Sequence, residues 1–157
     1  MATEFNDIDN ESENEESRHY MWHDSLSCGH ESIDTDHRYL FDIAERLRIA
    51  GIHGQADAEI GQILAELMDY VDRHFAREEA LMQAVDYPCM ADHRFEHSLL
   101  IRRVKSLYRR FIEGKPLQPR EVAQFVNRWL RYHIMHSDLD MARYAARWTL
   151  LHSIKDE

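Results

Sequence analysis

The sequence predicts an all-α fold, an antiparallel up-down-up-down four-helix bundle with an N-terminal arm. Apolar residues recur every three or four positions in four long segments, which is the period of one helix face. No stretch of useful length alternates apolar and polar residues as a half-buried strand would. The connections between the segments are short, which places consecutive helices side by side and antiparallel.

Composition limits the class of protein. A length of 157 residues favours one domain with a substantial core. The formal net charge of -10 argues against nucleic acid or an anionic membrane surface as a partner. No apolar run approaches the roughly 18 residues of a membrane span, and no signal-peptide pattern is present, so we expect a cytoplasmic protein. Cys28 and Cys89 lie far apart and are expected to be reduced thiols.

The N-terminal third contains two segments before the first long helix. Residues 1–18 are acidic and lack periodicity, which predicts a disordered tail. Residues 19–33 contain aromatic residues without a helical repeat, which predicts an extended arm. Asp34 is the expected N-cap of the first helix, which should stop near Gly51. Residues 34–157 therefore form the predicted bundle, including an extended C-terminal helix.

Proline and glycine delimit the next two helices. The second helix should run from Asp57 to about Asp86, because Pro88 ends the pattern. The third helix follows and should end at Gly114, just before Pro116.

The fourth helix should begin at Pro119, a residue favoured in the first helical turn. Apolar residues keep a helical spacing past Asp138 towards Lys155, so we expect the fourth helix to continue well beyond the residues that pack in the bundle.

The apolar stripes also carry polar side chains. Each predicted helix places histidine on its inward stripe, and two helices add a carboxylate. The seven residues are His37, His74, Glu78, His93, His97, His133 and Asp138. Unpaired groups of this kind cost on the order of several kcal/mol in a dry core. Five imidazoles and two carboxylates exceed one tetrahedral zinc site and suit two ions, with iron preferred over manganese or zinc.

The spacing of these residues matters. His74 and Glu78, like His93 and His97, are four residues apart and lie about one turn from each other. His133 and Asp138 are five apart, about 140° around a regular helix, which requires a local distortion or a long reach by the carboxylate. Any one of these histidines alone would more often be an ordinary core residue. Burying all seven without a cation is the weaker interpretation.

The order H…HxxxE…HxxxH…HxxxxD resembles the hemerythrin family, specifically its bacterial single-domain branch, the bacteriohemerythrins. Flanking residues match as well: Ile33-Asp34-x-x-His37, His74-Phe75-x-x-Glu78-Glu79-x-x-Met82, Tyr87-Pro88 and Trp129-x-x-x-His133-Ile134. The similarity extends from about Trp22 to Asp138. Asp36 stands where many members have glutamine, a difference that removes no ligand.

The resemblance implies reversible O2 binding at a non-haem di-iron centre in a protein that is not an enzyme. It implies that His93, His97 and His133 bind one iron, and that His37 and His74 bind the other. Glu78 and Asp138 would bridge the two irons together with an oxo or hydroxo group. The second iron, with one ligand fewer, would keep a position open for O2. The candidates for lining the O2 pocket are Leu40, Phe75, Trp129, Leu130 and Ile134.

Two other functions remain open. The long C-terminal helix would suit an O2 or redox sensor that signals to a partner protein or to an effector domain outside this chain. A ferritin-like di-iron oxidase or peroxidase ranks last, because that class needs Glu-x-x-His on each of two helices. The only such spacing joins Glu16 to His19, within or beside the acidic tail.

Overall fold

A computed structural model of the chain describes residue 18 and residues 20–153. The predicted acidic tail lies almost wholly outside the described residues, as does the end of the C-terminal helix. Within residues 20–153 the structure is helical without strands, and the predicted four-helix bundle is confirmed. The helices are α1 (Glu31–His53), α2 (Asp57–Ala84), α3 (Met90–Ile112), α4 (Pro119–His133) and α5 (Leu139–Ser153).

The four helices of the bundle, α1 to α4, run antiparallel to their neighbours. α1 packs against both α2 and α4, and α3 packs against α2. Arg46 in the second half of α1 and Glu66 in the first half of α2 form two hydrogen bonds of 2.9 Å. The end of α1 lies beside the start of α4, where Gly51 approaches Pro119. The N-terminal halves of α1 and α3 therefore lie at the same end of the bundle as the C-terminal halves of α2 and α4.

The predicted N-cap of the first helix is wrong by four residues. α1 begins at Glu31 and is capped by His30, so residues 31–33 are helical rather than part of an extended arm. Asp34 is already inside the helix, since its N–H donates to the His30 carbonyl at 2.9 Å. Its carboxylate instead accepts hydrogen bonds from Ser27 Oγ and the Cys28 N–H. It thus fastens the preceding turn onto the first helical turn. The arm is also not fully extended, because Asp24–Leu26 form a short 3-10 turn.

The end of the first helix also differs from the prediction. α1 passes through Gly51 and ends at His53, with Gly54 in the left-handed conformation at φ 59°. A Cβ on Gly51 would lie 3.0 Å from Arg120 Cγ and 3.2 Å from Pro119 Cβ. Gly51 therefore permits the close approach of α4, whereas Gly54 provides the backbone conformation that ends the helix.

A π-helical segment, Ile134–Asp138, joins α4 to α5 without interrupting the helix. Its wider turn places residues five apart on a common face. This is the local distortion that the spacing of His133 and Asp138 requires.

Two apolar clusters flank the polar residues of the bundle. The larger cluster fills the end distant from the N-terminus of α1 and includes Leu47, Leu64 and Val104. The smaller one closes the other end with Met82 from α2 and Met141 from α5. No helix among the described residues combines the length and the apolar character needed to cross a membrane.

Candidate metal centre

The seven predicted ligands converge between the two apolar clusters. α1 contributes one of them, α2 and α3 contribute two each, and α4 with the π segment contributes the last two. None of the seven is more than 3% exposed. They form two groups of donor atoms that share both carboxylates. One group is His37, His74, Glu78 and Asp138, and the other is Glu78, His93, His97, His133 and Asp138.

One oxygen of each carboxylate faces the group with two imidazoles. Glu78 Oε1 lies 3.1 Å from His74 Nε2 and 3.6 Å from His37 Nε2. Asp138 Oδ2 lies 3.0 Å from His37 Nε2. The Nε2 atoms of both histidines are therefore directed towards the same space between the carboxylates.

The other oxygen of each carboxylate faces the group with three imidazoles. Glu78 Oε2 lies 2.9 Å from His97 Nε2 and 3.5 Å from His93 Nε2. Asp138 Oδ1 lies 3.0 Å from His133 Nε2 and 3.1 Å from His93 Nε2. Each carboxylate thus spans the two groups, which is the geometry of a bridging ligand.

The donor atoms fit metal ions better than they fit one another. All four oxygens of Glu78 and Asp138 are buried without a hydrogen-bond donor, which is costly unless a cation satisfies them. His133 Nε2 lies 3.0 Å from His93 Nε2 and 3.1 Å from His97 Nε2. Adjacent ligands of one metal ion with bonds of about 2.1 Å are about 3.0 to 3.4 Å apart. These three nitrogens are therefore close enough together to bind the same ion.

Three of the histidines are held from behind by carboxylates that are not among the seven site residues predicted from the sequence. The Nδ1–H groups of His74, His97 and His133 donate to Asp36 at 3.1 Å, Glu79 at 3.3 Å and Glu96 at 2.7 Å. A proton on Nδ1 leaves the lone pair on Nε2, where it faces the centre. Each acid directly adjoins a predicted ligand in the sequence, and this is the signal that could have identified them.

The charges of the centre are strongly coupled. Burial alone would raise the pKa of Glu78 and Asp138, yet the surrounding histidines hold both well below their usual values. Burial lowers the pKa of His74, but the Glu78 charge and the bond to Asp36 outweigh it and raise that pKa to about 10. His93 behaves similarly beside Asp138 and Glu78, and its pKa rises to about 9. Buried imidazolium groups thus balance the two carboxylates when no metal does so.

Aromatic rings cover the imidazoles. Phe75 stacks on His97 with ring centres 3.7 Å apart, and Trp129 stacks on His133 at 4.3 Å. Trp22 from the N-terminal arm lies over His37 at 6.3 Å. The remaining predicted pocket residues, Leu40, Leu130 and Ile134, are fully buried in the larger apolar cluster. Their assignment to an O2 pocket stays a prediction.

Other candidate residues lie apart from the centre or already have partners. His136 is exposed, and its Nδ1 bonds to the Tyr132 carbonyl at 2.8 Å. Cys28 comes close to Asp34 and His37, but Asp34 already accepts from Ser27 and Cys28, and burial raises the pKa of the Cys28 thiol to about 12. This thiol stays protonated at neutral pH.

Comparison with known proteins points to one family. The family model described as "Hemerythrin HHE cation binding domain" matches residues 28–145. The bacteriohemerythrin of Stenotrophomonas maltophilia is 35% identical over 118 residues, covering 75% of this chain and 76% of the relative. That of Pseudomonas aeruginosa is 33% identical over 139 residues, covering 88% and 89%. The myohemerythrin of Riftia pachyptila is 30% identical over 119 residues, covering 76% and 88%.

Solved structures give the same result. A wild-type hemerythrin crystal structure superimposes with a TM-score of 0.70 at 31% sequence identity, covering 73% of this chain and 88% of the other. The similarity therefore includes both the sequence and the bundle that positions the seven buried donors.

Proposed function

The chain belongs to the hemerythrin family, and on that basis we propose that it binds O2 reversibly at a centre of two non-haem iron ions. The observation that carries the proposal is the sharing of Glu78 and Asp138: each directs one oxygen to the group with two imidazoles and the other oxygen to the group with three. Two ions held by common carboxylates account for every buried donor of the set. A single ion would leave part of it unsatisfied.

Each residue has a defined role in this proposal. His93, His97 and His133 would hold one iron, His37 and His74 would hold the other, and the two carboxylates would be shared between them, together with an oxo or hydroxo group. Imidazole and carboxylate are ligands suited to iron. When bound, two ferrous ions would supply the two electrons that O2 takes up, and would recover them when O2 is released. The position with two imidazoles has one protein ligand fewer, so it is the one that can accept O2.

The protein around the centre separates it from water. The seven donors are buried between the two apolar clusters, and rings of Phe75 and Trp129 cover imidazoles on the side of three histidines. Excluding water and external acids suppresses the loss of reduced oxygen as a product. The pocket residues proposed from the sequence, Leu40, Leu130 and Ile134 among them, would contribute to this exclusion. The same property favours a binding protein over an enzyme.

The test is optical and chemical. The purified chain with about two irons should be nearly colourless when reduced, absorb intensely in the near-ultraviolet and visible with O2, and lose that absorption when O2 is removed. His133→Ala should abolish the change, whereas His136→Ala, which alters an exposed histidine three residues away, should retain it. Irreversible oxidation on first contact with air, or stoichiometric zinc in the native protein, would refute the proposal. Sustained O2 consumption with a reductant would show oxidase activity instead.

A sensor role is the second candidate, and the continuity of the helix favours it. Asp138 ends the π segment, and α5 continues directly from it for 15 residues. Near the end of α5, Leu150 and Leu151 are 65% and 62% exposed, and these apolar side chains would form a contact surface for a partner protein. Hydrogen exchange of residues 139–153 should then differ between the reduced, O2-bound and oxidised protein. Identical protection in the three states would leave only the carrier role.

A further inference from the structure

Asp36 is the most heavily hydrogen-bonded of the carboxylates behind the candidate ligands. Its Oδ2 accepts from His74 Nδ1 at 3.1 Å and from Arg77 Nε at 2.7 Å. Its Oδ1 accepts from Arg77 Nη2 at 2.7 Å and from Tyr70 at 2.8 Å. Its side chain is only 6% exposed, against 28% for Glu79 and 38% for Glu96. Both of its oxygens are therefore fixed, and the carboxylate cannot turn away from His74.

The two halves of the centre differ in this support. On the side with three imidazoles, both His97 and His133 donate to a carboxylate. On the side with two, His74 alone does so, because His37 Nδ1 has no hydrogen-bond partner among the described residues. On that side only the His74 imidazole therefore has its orientation and tautomer set by an acceptor, and that acceptor is Asp36.

We infer that Asp36 is a positioning residue: by accepting the Nδ1–H of His74 it keeps the Nε2 lone pair directed at the two-imidazole metal position and selectively stabilises the ion there. The inference rests on the proposed function for the nature of that ion. In the other neutral tautomer a hydrogen on Nε2 would point at the metal position and block ligation. Arg77 and Tyr70 act one step further out, by holding the carboxylate in place.

The negative charge of Asp36 has a separate consequence. A carboxylate that accepts the N–H of a ligating imidazole makes that imidazole a stronger base and a better donor to a more highly charged ion. Asp36 should therefore favour ferric over ferrous iron at the two-imidazole position. A variant without this charge should have a more positive iron reduction potential there, which a role limited to packing would not produce.

Iron binding separates the effects of acceptor and charge. Asp36→Leu removes the acceptor while keeping four side-chain heavy atoms branched at Cγ, and Asp36→Asn keeps a carbonyl acceptor without the charge. One of the two irons should bind about 10- to 100-fold more weakly in Asp36→Leu, with partial recovery in Asp36→Asn and a more positive potential in both. Glu79→Gln should weaken the other iron instead, and Asp42→Asn, an exposed carboxylate on the same helix, should change neither. Wild-type affinity for both irons in Asp36→Leu, or equal loss of both, would overturn the inference.

Zinc gives a readout that does not depend on iron or O2. In the protein loaded with Zn²⁺ alone, the His74 Nδ1–H should give a slowly exchanging NMR signal in the wild type, and Asp36→Leu should lose it. A signal that persists in Asp36→Leu would exclude the proposed contact. If Asp36→Leu fails to fold in the metal-free state, Arg77→Gln loosens the same carboxylate from the surface side and should weaken the same ion by a smaller factor. Failure of the wild type to take up two irons would contradict the proposed function but leave the zinc test valid.

Discussion

Protons and metal ions compete for the same imidazole nitrogens, so the metal affinity of this centre should depend steeply on pH. In the metal-free protein the pKa of His74 is raised to about 10 and that of His93 to about 9, against an ordinary value of 6.5. Both imidazoles are then protonated near neutral pH and balance the charges of Glu78 and Asp138. Ligation requires them to be neutral, so metal uptake between pH 6.5 and 9 should release at least two protons. His37, whose pKa is lowered by burial but raised above its ordinary value by Asp138 and Glu78, would add to this number.

The magnitude follows from linkage. Two released protons make the combined two-ion binding constant rise about 100-fold per pH unit, or about 10⁴-fold from pH 6.5 to 8.5. The stability of the metal-free fold changes with pH in the opposite direction to the metal affinity. Because the folded pKa values of His74 and His93 are raised, their contribution to stability is fully present below pH 6.5, the unfolded value, and is lost as the pH rises through 9 to 10.

Anaerobic Fe²⁺ titration against a competing chelator at pH 6.5, 7.5 and 8.5 measures the slope. Calorimetry in buffers of different ionisation enthalpy counts the protons independently. His136→Gln is the matched control and should keep the wild-type slope, since His136 is exposed and its Nδ1 bonds to the Tyr132 carbonyl. A slope below tenfold per pH unit would refute the assignment of buried imidazolium groups. So would metal-free stability that does not fall between pH 6.5 and 10.

Further substitutions test the centre and the fold. Glu78→Ala should lose most of the iron measured by elemental analysis, because it removes two oxygens that approach four imidazoles. Retention of two irons by this variant would contradict the bridging role of Glu78. Phe75→Ala should lower the free energy of unfolding of the metal-free protein by about 3 to 5 kcal/mol in urea titration, since Phe75 is 2% exposed and stacked on His97. An effect below about 1 kcal/mol would show that the site collapses around the cavity. Gly54→Ala should cost about 1 to 2 kcal/mol by the same measurement, because its φ of 59° disfavours a Cβ although no atom lies within 4 Å.

Local periodicity was sufficient to predict the helices and their buried faces. His74 and Glu78 share the stripe of Leu67 and Val71 because residues three or four apart stack on one helix face. That rule depends only on the geometry of a single helix. The same rule placed six of the seven buried donors on inward faces, with Asp138 as the exception, and the structure brings all seven together.

Helix boundaries were less predictable because they depend on contacts outside the helix. Asp34 has the side chain of an N-cap, but its carboxylate fastens residues 27 and 28 to a helix that begins earlier. Glycine is a residue type typical of helix ends, but Gly51 lies inside α1, where its missing side chain allows α4 to come close to the backbone. Both residue types are compatible with two local structures, and the neighbouring segment selects one of them.

The conformation between His133 and Asp138 could be predicted from the sequence only in part. Five residues on a regular α-helix separate two side chains by about 140°, so the sequence alone required either a distorted helix or a long reach. It could not choose between them, since Ile134, Met135 and His136 do not themselves demand a wider turn. The structure uses the π segment Ile134–Asp138, and both side chains then face the same donor group.

The sequence by itself determined the class of fold, the seven candidate donors and the resemblance to the family, because these depend on residue type, on spacing within each helix and on the order of the motifs along the chain. Only the tertiary structure decided which carboxylate oxygen faces which imidazoles. It alone showed that Asp36, Glu79 and Glu96 hold His74, His97 and His133 from behind. These contacts join residues 18 to 38 positions apart, and no pattern within a single helix specifies which side chains of two different helices meet.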